Sequence, residues 1–299
     1  MLRLGASLIS QSRQSPCIGN LVLDDNVGAV RAYSSRKLRR GFEGHPIRVR
    51  NGVSNEEADV AFDENGEVSA QSKVYNASGS TPDGTLVGTF MALGYVVRWY
   101  DQSEGVAFDA TQDTVGKQPL IYFSAFFNVN GKVSISFDGS NDFLAVDSTG
   151  LDTNGISVYA VLKNDNLGLQ EFQWPWGLST DTTTPVWFGS LLNSNVDKFY
   201  YGTQLNMTPI AANTNQMLLQ YSAGPSEAPG VYKNGTKDSN VGTLETLSLA
   251  VNTDNGLGSW GGRLYGWDGQ WQEFIVFDND TSENRAAITD DINNFFSIF

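Results

Sequence analysis

Lys132-Val133-Ser134-Ile135-Ser136-Phe137-Asp138-Gly139 alternates apolar and polar side chains and stops at a turn-forming pair. A period of two sends Val133, Ile135 and Phe137 to one face of a pleated strand. The serines go to the other face, the pattern of an antiparallel sheet with one side buried and one wet. Similar short stretches recur along the chain, at 47–50, 58–62, 95–100, 120–123, 157–163, 186–192, 198–201, 217–222, 230–233, 244–251, 262–267 and 271–277. Asn130-Gly131, Asn234-Gly235 and Asp268-Gly269 supply turn formers between them. So many short, aromatic-rich strands predict an all-β fold: a two-sheet antiparallel β-sandwich, jelly-roll and lectin-like, with a few short accessory helices. Those helices are expected at 27–38, capped by Asp24-Asp25-Asn26, from Thr81-Pro82-Asp83-Gly84 through Leu93, and at 283–292 after Thr281 or Ser282.

Composition bounds the function classes. The 299 residues are 40% hydrophobic and 12% aromatic, but only 17% charged, which excludes a disordered chain. No run approaches the roughly 18–20 uncharged apolar residues of a membrane-spanning helix, so no membrane insertion is expected. The net charge is −14, unevenly spread. Residues 1–50 carry nine basic and three acidic side chains, while the other 249 carry ten and thirty. An acidic body repels phosphate backbones, so nucleic acid is not an expected partner. The basic segment either pairs with the protein's own carboxylates or docks on an acidic partner.

Cys17 is the only cysteine and His45 the only histidine. Neither an internal disulfide nor a Cys/His metal site can be assembled from them. His45, before Pro46, reads as a surface or hydrogen-bonded histidine rather than a triad base. Asp63-Glu64-Asn65-Gly66-Glu67 resembles the start of a calcium loop, but its spacing fails after the first positions, and an acidic turn is the simpler reading. No cofactor is expected; the body has carboxylates to spare for calcium, with no specific site visible.

Four C-terminal aromatic and polar groups suggest a ligand surface. Trp174, Trp176 and Trp260 lie in loop-like stretches, and Asp254-Asn255 offers hydroxyl-binding side chains. Aromatic faces stack on sugar rings, and carboxylates and amides hold hydroxyls. The alternative for the tryptophans is that they fill a large core, favoured for Trp187 and Trp271.

Phe137-Asp138-Gly139-Ser140-Asn141-Asp142-Phe143-Leu144, followed by the strand Val158-Tyr159-Ala160-Val161-Leu162-Lys163, resembles the opening of a concanavalin A/laminin-G-like sandwich. Val231-Tyr232-Lys233-Asn234-Gly235-Thr236 resembles the hairpin of such domains, and 269–277 with 281–292 their last strand and closing helix. The N-terminal half is similar to the catalytic domain of arabinofuranosidase B, and to virion proteins built on that scaffold. The similarity lies in Ala32-Tyr33-Ser34-Ser35-Arg36-Lys37-Leu38, Ile47-Arg48-Val49-Arg50, Trp99-Tyr100-Asp101-Gln102-Ser103 and Asp109-Ala110-Thr111-Gln112. It makes Asp101 and Gln102 ligand-binding candidates, although Glu104-Gly105-Val106 replaces the family's Gly-Asn-Gly.

The resemblance implies a glycosidase acid/base at Asp254, with Asn255 beside it. A retaining glycosidase also needs a nucleophile about 5–5.5 Å from its acid. The stretch that resembles the nucleophile strand, Thr184 to Gly189, lies in a run without a carboxylate between Asp181 and Asp197. Glu171 takes that place only under a shifted alignment. The family's adjacent cysteines are absent too. Asp254 is thus a relic or a lone candidate, and the residues weigh against catalysis.

The expectation is therefore a non-enzymatic phage virion protein, of tail fibre, baseplate or capsid surface. Residues 1–23 would be an arm that attaches to other virion proteins, and 24–299 a sandwich that binds host glycan. The lack of a secretion-signal pattern and of disulfides points the same way. A homo-oligomer, a trimer by analogy, follows from particle symmetry. The alternatives are an arabinofuranosidase-like glycoside hydrolase and a free bacterial carbohydrate-binding lectin.

Overall fold

The computed structural model of the protein describes residues 21–76, 79–151, 155–167, 172–179, 187–193, 196–201, 203–211, 214–224, 227–237, 255–259 and 266–299. The strands expected at 244–251 and 262–265 lie outside them. In chain order the strands are β1 (Ala29–Ser34), β2 (Ile47–Asn51), β3 (Glu57–Val60), β4 (Lys73–Tyr75), β5 (Thr85–Leu86), β6 (Leu93–Trp99), β7 (Ala110–Thr111) and β8 (Leu120–Phe123). Next come β9 (Asn128–Val129), β10 (Lys132–Val133), β11 (Ile135–Asp138), β12 (Leu144–Ala145), β13 (Ile156–Asn164), β14 (Phe172–Ser179) and β15 (Trp187–Asn193). The rest are β16 (Val196–Tyr201), β17 (Thr203–Ala211), β18 (Gln216–Gly224), β19 (Glu227–Lys233), β20 (Thr236–Lys237), β21 (Gly256–Leu257) and β22 (Asp268–Phe277). Three short helices, α1 (Val22–Asp25), α2 (Val87–Phe90) and α3 (Arg285–Phe296), accompany them.

Every pairing is antiparallel. One layer runs β20-β19-β18-β13-β22, with β1 and β11 sharing the far edge of β22. The other runs β5-β4-β3-β2-β6-β7-β12-β21-β14-β15-β16-β17. β8 pairs with β6 and touches β11, joining the layers at one side. This is the expected all-β sandwich. Its interior takes Tyr33, Phe274 and Trp271 from the first layer and Trp99 and Trp176 from the second. Phe274 is the hub: it stacks on Tyr33 and meets the edges of Trp176 and Trp271 at centroid distances of 6.2, 5.3 and 5.6 Å.

At β13 and β22 the first layer is buried on both faces. Val158, Ala160, Leu162, Phe274 and Val276 point between the sheets, while Tyr159, Val161, Ile275 and Phe277 point outward. Ile288, Ile292 and Phe296 of α3 and Val22 and Leu23 of α1 cover that outer side. A bulge at Gln272 resets the alternation of β22. The one carboxylate at the middle of β22, Glu273, faces the helix side. It receives the Nε and Nη2 of Arg36 at 2.8 and 3.0 Å and the Oγ of Ser34 at 2.8 Å. Arg36 Nη1 reaches on to Asp291 of α3 at 2.7 Å. The arginine thus ties helix to sheet, and its partners hold its charge above the ordinary range despite burial.

Several local expectations give way to tertiary pairing. Residues 27–38 do not form a helix: 29–34 pair with Glu273–Phe277 as strand β1, and the Asp24 cap signal falls within α1 instead. The helix expected through Leu93 shrinks to α2, because Leu93 begins β6. Asp268-Gly269 is no turn but the start of β22, whereas Asn130-Gly131 and Asn234-Gly235 adopt the expected left-handed turns. Ser134, expected wet, is 1% exposed and donates to Gln270. The last residues of the proposed arm, Val22 and Leu23, belong to the core; residues 1–20 lie outside the described residues.

Replacing Glu273 by alanine strands a buried guanidinium, so urea denaturation should show a loss of about 3–5 kcal/mol. Asp291→Ala, whose partly exposed carboxylate is screened, should cost about 1 kcal/mol or less. Equal losses in the two variants would contradict this ranking.

Candidate functional site

Of the sequence-derived candidates, Asp101, Gln102, Trp174, Trp176 and Asn255 fall among the described residues. Asn255 is buried and donates from Nδ2 to Ser148 Oγ at 2.6 Å, and its carbonyl receives the Val146 amide. The neighbouring turn is clamped by Arg31, which is 2% exposed. Its guanidinium donates to the carbonyls of Asp147, Thr149 and Val30 and lies 3.8 Å from the Phe108 ring centroid. No carboxylate forms an ion pair with it among the described residues, and burial lowers its pKa.

Asp101 stands behind Phe108. Its Oδ1 accepts the amides of Ala32 and Ser103, and its Oδ2 accepts that of Phe108. Burial raises its pKa and these amides oppose the rise. Gln102 is fully buried, accepting the Leu38 amide and donating to the carbonyls of Ser34 and Arg36. Both side chains are spent on holding the 101–109 loop against β1. They shape this part of the molecule through hydrogen bonds to its own backbone.

For Trp174 and Trp176 the expected loop placement is corrected. Trp174 and Trp176 are 6% and 2% exposed and sit on strand β14, not on a loop. Pro175 is accommodated by a register break between Gln173 and Trp176, and its carbonyl accepts Trp271 Nε1 and the Gly258 amide. Trp176 faces Leu257 across the pair β14–β21, so it supports the Asn255 strand from within. Asp254, Trp260, Glu171 and Asp181 lie outside the described residues.

Other acidic groups resolve into turns. Asp63 accepts the amides of Asn65 and Glu67 and the Ser69 hydroxyl, the acidic turn expected there. No cluster of three or more metal-binding side chains occurs among the described residues. His45 stacks on Tyr75 at 5.3 Å between centroids. One group was invisible in the sequence. Asp142, 8% exposed, has its carboxyl pushed up to about 7 by burial and by the nearby Asp138 charge, while Oδ2 accepts the Asp138 amide at 3.2 Å.

The sequence matches no family model and no curated protein. The fold does match solved structures. An arabinofuranosidase complexed with arabinofuranosyl-α-1,2-xylobiose aligns at a TM-score of 0.53 and 13% identity over 91% of this chain and 64% of its own. A GH54 α-L-arabinofuranosidase mutant soaked with 4-nitrophenyl α-L-arabinofuranoside aligns at 0.53 and 14% over the same shares. A Trypanosoma rangeli sialidase with sialic acid aligns at 0.47 and 11%, over 79% of this chain and 45% of its own. The chain thus spans less than two thirds of these proteins, and what it shares with the arabinofuranosidases is the β-sandwich fold.

Asp142 makes a pH dependence measurable. Its folded pKa, about 7, lies above the roughly 3.9 of an unfolded aspartate. The folded state therefore binds the extra proton between these values, and stability should fall as pH rises from about 4 to about 7. Asp142→Asn should remove that part of the slope in denaturation midpoints; an unchanged slope would show that the carboxyl titrates normally.

Proposed function

We propose that this protein recognises neutral, arabinofuranose-bearing carbohydrate on an arabinofuranosidase-type sandwich. The observation that carries the reading is the alignment with arabinofuranosidase structures over 91% of the chain at a TM-score of 0.53. The anchors Asn255 and Arg31 support it, because both hold the 147–149 turn, and Asn255 directly follows the residue the family resemblance makes the acid/base. The strongly acidic composition argues against anionic polymers.

Hydrolysis is the second reading, favoured by the fact that the aligned structures are glycoside hydrolases. Against it stands the carboxylate-free run between Asp181 and Asp197. The virion role expected from the sequence draws no support from the fold or from the similar structures.

Calorimetric titration with arabinofuranosyl xylo-oligosaccharides should give saturable binding, and its absence would overturn the carbohydrate reading. Release of nitrophenol from 4-nitrophenyl α-L-arabinofuranoside, reduced at least about a hundredfold in Asp254→Asn, would establish the hydrolase. Binding without release would reject the hydrolase and leave recognition standing.

A further inference from the structure

The outer face of the second layer carries a row of side chains that the fold does not need. Alternation along β4, β3, β2 and β6 sends Val74, Val60, Val49 and Trp99 inward. The residues between them point out. In register across the four strands stand Tyr75, Asp59, Arg48 and Arg98, joined by the pairs Tyr75–Asp59, Asp59–Arg48 and Arg48–Arg98. With strands about 4.8 Å apart, the row extends about 14 Å.

Its polar groups are held rigid yet left open. Asp59 takes Arg48 Nε and Nη2 at 2.9 and 2.8 Å and the Tyr100 hydroxyl at 2.7 Å. Arg98 gives Nη1 to Asp109 at 3.2 Å, and its guanidinium lies 5.7 Å from the Tyr100 ring centroid. Among the described residues, Nη1 of Arg48 and Nη2 of Arg98 receive no hydrogen-bond partner, and neither does the buried Nε of Arg98. The two arginine side chains are 38% and 41% exposed and oppose each other across neighbouring strands, each charge offset by its own aspartate. At the end of the row Tyr75 is 38% exposed, its ring backed by His45 at an interplanar angle of 18°.

We propose that this row is a binding surface for a neutral oligosaccharide. Tyr75, stiffened by His45, supplies the stacking face. Arg48 and Arg98 donate to ring hydroxyls, and the Asp59 and Asp109 carboxylates accept from them. Two arginines against two aspartates leave the row with no net charge, and the whole chain is acidic, so a neutral sugar suits it better than an anionic one. The donors and acceptors are already fixed by one another, so binding requires little ordering of side chains. The row is long enough for several sugar units in line. It lies on the outer sheet face and adjoins the 101–109 loop through Asp109, whose Oδ1 accepts the Asp101 amide at 2.9 Å. The inference rests on the carbohydrate reading above and adds where the chain is gripped.

The test is calorimetric titration of the full chain with neutral arabinofuranosyl xylo-oligosaccharides of increasing length. Wild type should be compared with Tyr75→Ala, Arg98→Gln and the control Phe123→Ala, which removes an exposed ring elsewhere; circular dichroism verifies folding. Tyr75→Ala and Arg98→Gln should each weaken binding about tenfold or more, with Phe123→Ala unchanged. Tyr75 is exposed, so its variant keeps the test usable if Arg98→Gln folds poorly. Wild-type affinity in Tyr75→Ala and in folded Arg98→Gln would overturn this surface while leaving carbohydrate recognition intact. Binding confined to uronate-bearing oligosaccharides would overturn the neutral class. No binding by wild type to any sugar would remove the carbohydrate reading itself, and this inference with it.

Discussion

A sheet buried on both faces is the constraint from which the rest of this structure follows. β22 and β13 cannot show a wet side, so their residues alternate between two apolar compartments rather than between core and water. The inner compartment demands large fillers between the layers, which Trp271, Phe274, Trp176 and Trp99 provide. The outer compartment demands a lid, which α3 supplies with Ile288, Ile292 and Phe296. Glu273 then sits where no charge survives alone, and Arg36 is the group that makes it tolerable. The same arginine reaches the lid, so one ion pair couples the helix to the sheet it covers.

This constraint also explains what could be read in the sequence. The strand at 47–50 was legible because its apolar residues, Ile47 and Val49, alternate with arginines and both enter the core. The last strand and the closing helix were legible too, since their apolar content is high under either pattern. Residues 27–38 were misleading: Ala29, Ala32, Tyr33 and Leu38 lie on one face of a helix, but Ala29–Ser34 gains a full antiparallel edge from β22. Pairing outweighs the small helix preference of such a segment. Gln173-Trp174-Pro175-Trp176 looked like a loop because proline is foreign to a strand interior; a register break and two hydrogen bonds to the Pro175 carbonyl absorb it.

The candidate site shows a different limit. Asp101 and Gln102 carry the resemblance to a carbohydrate-active family, and a motif of buried polar residues is read easily as chemistry. Their hydrogen bonds go to amides and carbonyls of their own chain, so the motif encodes a loop geometry. Nothing in the spacing of Asp142 betrays its raised pKa, which comes from burial and from a neighbour four residues away. The outer row of Tyr75, Asp59, Arg48 and Arg98 was equally hidden, because its members lie far apart in sequence and meet through strand register alone. The scaffold thus carries buried polar clamps around its 101–109 and 147–149 segments and an outer face of partly exposed, mutually held side chains.

Native-state hydrogen exchange tests the doubly buried sheet most directly. The account predicts that amides of residues 158–162 and 273–277 exchange only through global unfolding, more slowly than those of β3 and β4 in the half-exposed layer. Exchange of β22 by local opening, at rates like those of β3, would contradict it.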